Sequence, residues 1–130
     1  MVGEFRGAEI VDLLVALSTG HDGGAVTMHA GGAAEVPRRC AALGVLAGVN
    51  PAAMAQLLGS AVDVVVQLAR DGPRRVVDEV AVLERAGDGV LVAPVWTRRV
   101  PRQSCASGRR QLRERLSARG ATVPEWLGGA

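Results

Sequence analysis

The chain's 130 residues make about one ordinary domain, and 48% apolar content is enough for a continuous core. A formal net charge of +2, 22% charged residues and a mean hydropathy of +0.21 exclude wholesale disorder. All fifteen positive charges are Arg, which excludes a Schiff-base lysine, a phosphate-loop lysine and a lysine nucleophile, while one Phe and two Trp argue against aromatic platforms for single-stranded nucleic acid.

Met1 to Gly7 is too short to be a complete buried strand, and Val2 and Phe5 read as the end of one already in progress. From Ala8 to Leu17, the residues Ile10, Leu13, Leu14 and Leu17 follow the i, i+3, i+4, i+7 spacing, with Glu9 in the first turn and Gly20 as a stop. That predicts an amphipathic helix. A glycine-rich turn, Gly20-His21-Asp22-Gly23-Gly24, then leads into a short strand with Val26 and Met28 on one face and Thr27 and His29 on the other.

A second helix is expected from Ala33 to Ala47, its inner face made of Val36, Cys40, Leu43 and Leu46 or Ala47. Asn50 followed by Pro51 caps a third helix, in which Met54, Leu57 and Leu58 form the apolar side. The period then changes to two. Val62, Val64, Val66 and Leu68 form one fully apolar strand face, Asp71-Gly72-Pro73 turns the chain, Val76 to Leu83 returns antiparallel, and Gly87-Asp88-Gly89 turns again into Val90 to Val95.

Charge divides along the chain. Residues 1–97 hold seven Arg against eleven acids, net −4, whereas residues 98–130 hold eight Arg against two acids, net +6. We take 1–97 as the folded domain and 98–130 as a basic tail carrying a short Arg-rich helix, about Gly108 to Arg119, which docks weakly through Leu112 and Leu116 alone. Its Arg109, Arg110, Arg113 and Arg115 read as a solvated face rather than a nucleic-acid contact. Cys40 and Cys105 are too few for a disulfide framework and lie in no CxxC pair.

The residues that could do chemistry are few. Glu4 sits just past the end of the opening strand, where open α/β sheets place reacting groups. A structural ion pair with Arg6 or Arg38 is the simpler reading of Glu4 alone. His21 and His29 flank the glycine-rich turn, but seven intervening residues match no zinc spacing and no Cys completes a set, so no metal is expected.

The order of these pieces carries more than any one of them. Val2-Gly3-Glu4-Phe5-Arg6-Gly7-Ala8-Glu9, an amphipathic helix, Thr19-Gly20-His21-Asp22-Gly23 and then Thr27-Met28-His29-Ala30 resemble the secretion and traffic ATPases of type II and type IV secretion and pilus assembly. The closest likeness is to the CpaF-like Tad pilus branch, and it runs from residue 2 to about residue 85.

The resemblance implies an α/β fold: the C-terminal part of a RecA-like P-loop NTPase domain, from the Walker B strand onward, with an antiparallel strand meander and the Arg-rich helix at its end. It puts Glu4 in the place of the carboxylate that orients the attacking water and His29 toward the γ-phosphate, with His21 and Arg6 on the cofactor side. In the intact family the cofactors are ATP and Mg2+, the assembly is a homo-hexamer, and the partners are inner-membrane pilus or secretion platform proteins.

The departures from the family pattern are equally specific. Gly31 and Gly32 follow His29-Ala30 where the family has Asn and Ser, and the GxxxxGK[ST] loop is absent from these 130 residues. General-base help is worth roughly 10² to 10⁴ in rate, well short of a whole enzyme. The isolated chain is therefore expected to bind no ATP and to be inactive, as the C-terminal portion of a motor, cytoplasmic and held at the inner face of the membrane only through partners. The alternative is a non-catalytic interaction module derived from the same fold.

Overall fold

A computed structural model describes residues 6–20, 23–100 and 105–128. They form two compact units, the described residues of 1–63 with 83–91 and those of 64–82 with 92–130. The strand end expected at Val2 and Phe5 lies outside the described residues. Among the described residues no helix is long and apolar enough to cross a membrane.

The first unit is a helical layer of α1 (Glu9–Ser18), a single 3-10 turn (Ala33–Glu35), α2 (Val36–Leu46) and α3 (Pro51–Ala61). In place of the expected strand at 26–29, the chain makes one isolated bridge at Thr27. The periodicity of α1 is realised as read: Ile10 and Leu14 are buried and Leu13 and Leu17 half-buried. Met54 and Leu58 of α3 and Leu83 from the chain beyond complete this core, and each fully buried side chain of that size contributes about 1.5–3 kcal/mol.

The inner face of α2 is realised with Ala47 rather than Leu46: Val36 and Cys40 are buried and Leu43 and Ala47 half-buried, and Gly44 joins them unforeseen. Its buried row is Val36, Cys40 and Gly44, one residue per turn, while Leu46 points to solvent. Gly44 is buried because Met54 of α3 lies directly on it: a Cβ there would overlap Met54 Cγ and come within 2.6 Å of its Sδ. Absence of a side chain lets the two helices close on each other, and hydrophobicity alone does not signal this.

The cap of α3 is formed as the sequence predicts. Asn50 is extended (ψ 155°) and its Oδ1 accepts the Ala53 N–H at 2.8 Å, with Pro51 at the first helical position. Asn50→Ala is expected to cost about 1 kcal/mol, measured as a lowered urea midpoint with unchanged slope; no change would mean water replaces the cap at no cost.

In the second unit β1 (Val64–Asp71), β2 (Arg74–Ala86) and β3 (Gly89–Thr97) form a three-stranded sheet in the order β1-β2-β3, with the tips of β2 and β3 counted in the first unit. Both hairpins turn through a glycine at positive φ, Gly72 (58°) and Gly87 (56°), the conformation these tight turns demand. The β1–β2 register runs from Val64↔Val82 to Gln67↔Glu79, then slips to Leu68↔Val77, so Asp78 is the extra residue of a bulge. Asp78 is held there twice, by the Arg98 N–H on its carbonyl (3.0 Å) and by Arg99 Nη2 on its carboxylate (3.1 Å).

The apolar face of β1 is not covered. Val66 and Leu68 remain 53% and 52% exposed, with Val64 and Val77 also open, while Val65, Gln67 and Ala69 on the other face are half-buried. Alternation identifies a strand with one greasy side but does not reveal whether anything lies over it.

The C-terminal helix docks more firmly than its sparse leucines suggest. In α4 (Ala106–Ala118), Leu112 and Leu116 pack with Val123 on a core of Val82, Val95 and Leu127, the last contributed by α5 (Glu125–Gly128). Two residues without apolar character anchor it as well. Gly108 is buried against the backbone of Ala93 and Pro94, and Arg109, only 6% exposed, donates through Nη2 to the Trp126 carbonyl.

Candidate functional site

Of the four residues singled out from sequence, Glu4 and His21 lie outside the described residues. Arg6 and His29 are described, both exposed and both in the first unit. Each sits in an irregular loop next to a backbone N–H held by a glutamate further along the chain.

Arg6 stands at the entry to α1. Glu9, the first residue of that helix, turns its side chain back so that Oε1 accepts the N–H of Arg6 (3.0 Å) and of Gly7 (3.1 Å). These bonds, with the Arg6 N–H the largest, hold the Glu9 carboxyl below the usual carboxylate range. A carboxylate is also favoured by the positive end of the helix dipole. The chain immediately after Phe5 is thereby fixed in direction.

His29 belongs to the stretch between Gly23 and the 3-10 turn. Two residues on, the Gly31 N–H donates to Glu35 Oε2 (3.0 Å), and the Glu35 N–H donates to the Gly32 carbonyl (3.1 Å). Gly32, at the N-cap of that turn, has no side chain to cap it, and the Gly31 N–H is met instead by a side chain from inside the turn. Arg38 approaches the same carboxylate at 3.8 Å, an exposed pair that contributes little.

Glu9 and Glu35 were not assigned these roles from sequence. The legible signal is a Glu two to four residues after a glycine at a helix start, a spacing from which a carboxylate reaches backward to free N–H groups. Of the residues nominated from sequence, the described ones offer one guanidinium and one imidazole, each exposed and on its own loop. Among the described residues no group of three or more His, Cys, Asp or Glu is placed to hold a metal.

The cysteines are not candidate nucleophiles. Burial pushes the Cys40 thiol up to about 11, and burial raises Cys105 as well. The sign follows from protons bound: native Cys40 keeps its proton where the unfolded chain has lost it. Its contribution to stability is therefore full below the ordinary thiol range, near pH 8.5, and falls as pH rises toward 11. A thiol reagent at pH 8 is expected to find both thiols slow in the native protein and both fast in denaturant; prompt native labelling of Cys40 would contradict its burial.

Comparison with known proteins gives a consistent result. The family model described as "Type II/IV secretion system protein" matches residues 1–124. A Mycobacterium tuberculosis protein named for conjugal transfer (Rv3659c) is 52% identical over 97 residues, covering 74% of this chain and 28% of the relative. "Conjugal transfer protein TrbB" of Rhizobium radiobacter is 38% identical over 84 residues, 65% of this chain and 25% of that protein. The chain therefore spans about a quarter of the length of these curated relatives.

Proposed function

Since the chain belongs to the type II/IV secretion system protein family, we propose that it is the C-terminal portion of a secretion-type motor ATPase that couples ATP hydrolysis to export or pilus assembly. The observation that carries the reading is the family match over residues 1–124, which includes both of the sequence boxes around Glu4 and His29. In the assembled motor Glu4 orients the attacking water, His29 faces the γ-phosphate, and His21 and Arg6 support the nucleotide side. The finer assignment to the CpaF-like Tad pilus branch rests on the order of those boxes. Relatives named for conjugal transfer point to export across the envelope in the same broad sense. Its assembly is a homo-hexamer on an inner-membrane platform.

These 130 residues do not fit ATP and Mg2+ by themselves. They hold neither a GxxxxGK[ST] loop to cradle the β- and γ-phosphates nor any lysine, and Arg6 and His29 cannot replace a backbone cradle. Calorimetry of the purified chain is therefore expected to show no Mg-dependent ATP binding; micromolar binding would overturn that. Co-expression with a P-loop-bearing partner tests the motor reading directly. ATPase activity should appear only in the mixture and vanish with Glu4→Gln.

One observation favours a second reading, a non-catalytic interaction module. The open apolar face of Val64, Val66, Leu68 and Val77 is a surface that a partner could cover. Under that reading, association persists unchanged in Glu4→Gln and His29→Ala and is lost on Val66→Asp.

A further inference from the structure

The second unit gathers most of the chain's positive charge and both its tryptophans. By sequence it holds eleven Arg against five acids, net +6, whereas the first unit holds four against eight, net −4. Trp96 near the end of β3 and Trp126 in α5 are thirty residues apart in sequence, yet both line one pocket of about 380 Å³, with Val95, Thr97, Val100 and Cys105. Trp96, Trp126 and Val100 stay 37%, 46% and 47% exposed.

One wall of the pocket is tied to α4. The Arg109 guanidinium lies 5.8 Å from the centroid of the Trp126 ring and donates to the carbonyl of the same residue, which anchors that indole to α4. Arg98 and Arg99 lie in sequence between Thr97 and Val100 and form ion pairs with Asp71 and Asp78, Arg99 keeping a 76% exposed side chain. On α4, Arg110 and Arg113 are exposed one turn apart.

We propose that this pocket docks an acidic polypeptide segment, which inserts one bulky apolar side chain against Trp96 and Trp126 while its carboxylates are drawn by the net positive charge of the unit. Trp and Arg are the residues that most often dominate binding energy, when an apolar centre is ringed by charge. The net charge of the unit selects acidic partners and speeds their encounter. The surface is concave, whereas a bilayer is met by protruding apolar groups. Its wall is aliphatic as well as aromatic, through Val95 and Val100, which suits a leucine-like side chain better than a stacked base. The inference stands apart from the nucleotide-site reading, because Arg6 and His29, the described residues of that reading, both belong to the first unit.

The chain has no Tyr and its two Trp both line the pocket, so indole fluorescence of the full chain reads this site directly. The probes are a short Asp/Glu peptide with one central Leu, the same peptide with Ala for Leu, its Lys counterpart, oligothymidylate, and vesicles of phosphatidylglycerol in phosphatidylcholine. The acidic Leu peptide is expected to give a saturable change, weaker by roughly tenfold or more for the Ala peptide and at raised salt. Val100→Glu, at an exposed position with an unchanged circular dichroism spectrum, should abolish it. Equal binding of the Leu and Ala peptides, equal binding of the Lys peptide, or a response to oligothymidylate or vesicles alone would each overturn the proposal.

Discussion

Gly108→Ala is expected to lower stability by about 3 kcal/mol, a large share of the roughly 5–15 kcal/mol available to a domain. The added methyl would overlap the carbonyl oxygen of Pro94 and come within 2.6 Å of that of Ala93. Both obstacles are backbone of β3, so no rotamer change relieves them and α4 must lift away. Lifting it loosens Leu112 and Leu116 from Val82, Val95 and Leu127 and separates Arg109 from Trp126. Helix propensity works the other way, since Ala is favoured over Gly by up to about 1 kcal/mol inside a helix, but in the first turn it gains less than that. The melting temperature should fall by roughly 10 °C. Gly128→Ala, which meets nothing within 4 Å, is the control and should stay within about 0.5 kcal/mol of the parent. If the two variants melt together, the close seat of α4 on β3 is wrong.

The same contact shows where sequence reading stops. Helix α1 and the cap of α3 were legible because their causes are local: a row of Ile10 and Leu14, and an Asn50 whose side chain needs only Ala53 three residues on. The three strands were legible for a similar reason, since alternation and the Gly72 and Gly87 turns are written within a few residues. The docking of α4 was not, because two of its anchors are a glycine and an arginine. Gly108 matters only through the carbonyls of β3, and Arg109 only through Trp126, seventeen residues later.

The site divides along the same line. Residue order around Glu4 and His29 was sufficient to indicate the family, since order survives without coordinates. The braces at Arg6 and Gly31 have only a weak local signal, a Glu two to four residues after a glycine, because a glutamate in a first helical turn reads first as a favourable charge; geometry shows Glu9 and Glu35 turning back onto the preceding N–H groups. The open face of β1 is a third case. Periodicity assigned Val64, Val66 and Leu68 to one side correctly, but burial depends on what packs above, and that information is not local.

Gly44 and Met54 form the second contact with a large expected effect, best read as a cycle rather than as single variants. Met54 is 1% exposed, so Met54→Ala should cost about 3 kcal/mol in lost transfer energy and cavity. Gly44→Ala gains helix propensity but drives a methyl into Met54 Cγ, for a net loss of about 1–2 kcal/mol. In the Met54→Ala background that obstacle is gone. The Gly44→Ala methyl then fills part of the space the methionine left and keeps its propensity gain, so the second substitution turns neutral or stabilising. The double variant is therefore expected to be more stable than the sum of the singles by about 2 kcal/mol. Urea unfolding followed by far-ultraviolet circular dichroism measures this, because both tryptophans lie in the other unit and fluorescence would not report on the helical layer. Additivity within about 0.5 kcal/mol would mean that α2 and α3 shift apart freely. Gly44 would then be an ordinary helical glycine and not the position that sets how closely the two helices approach.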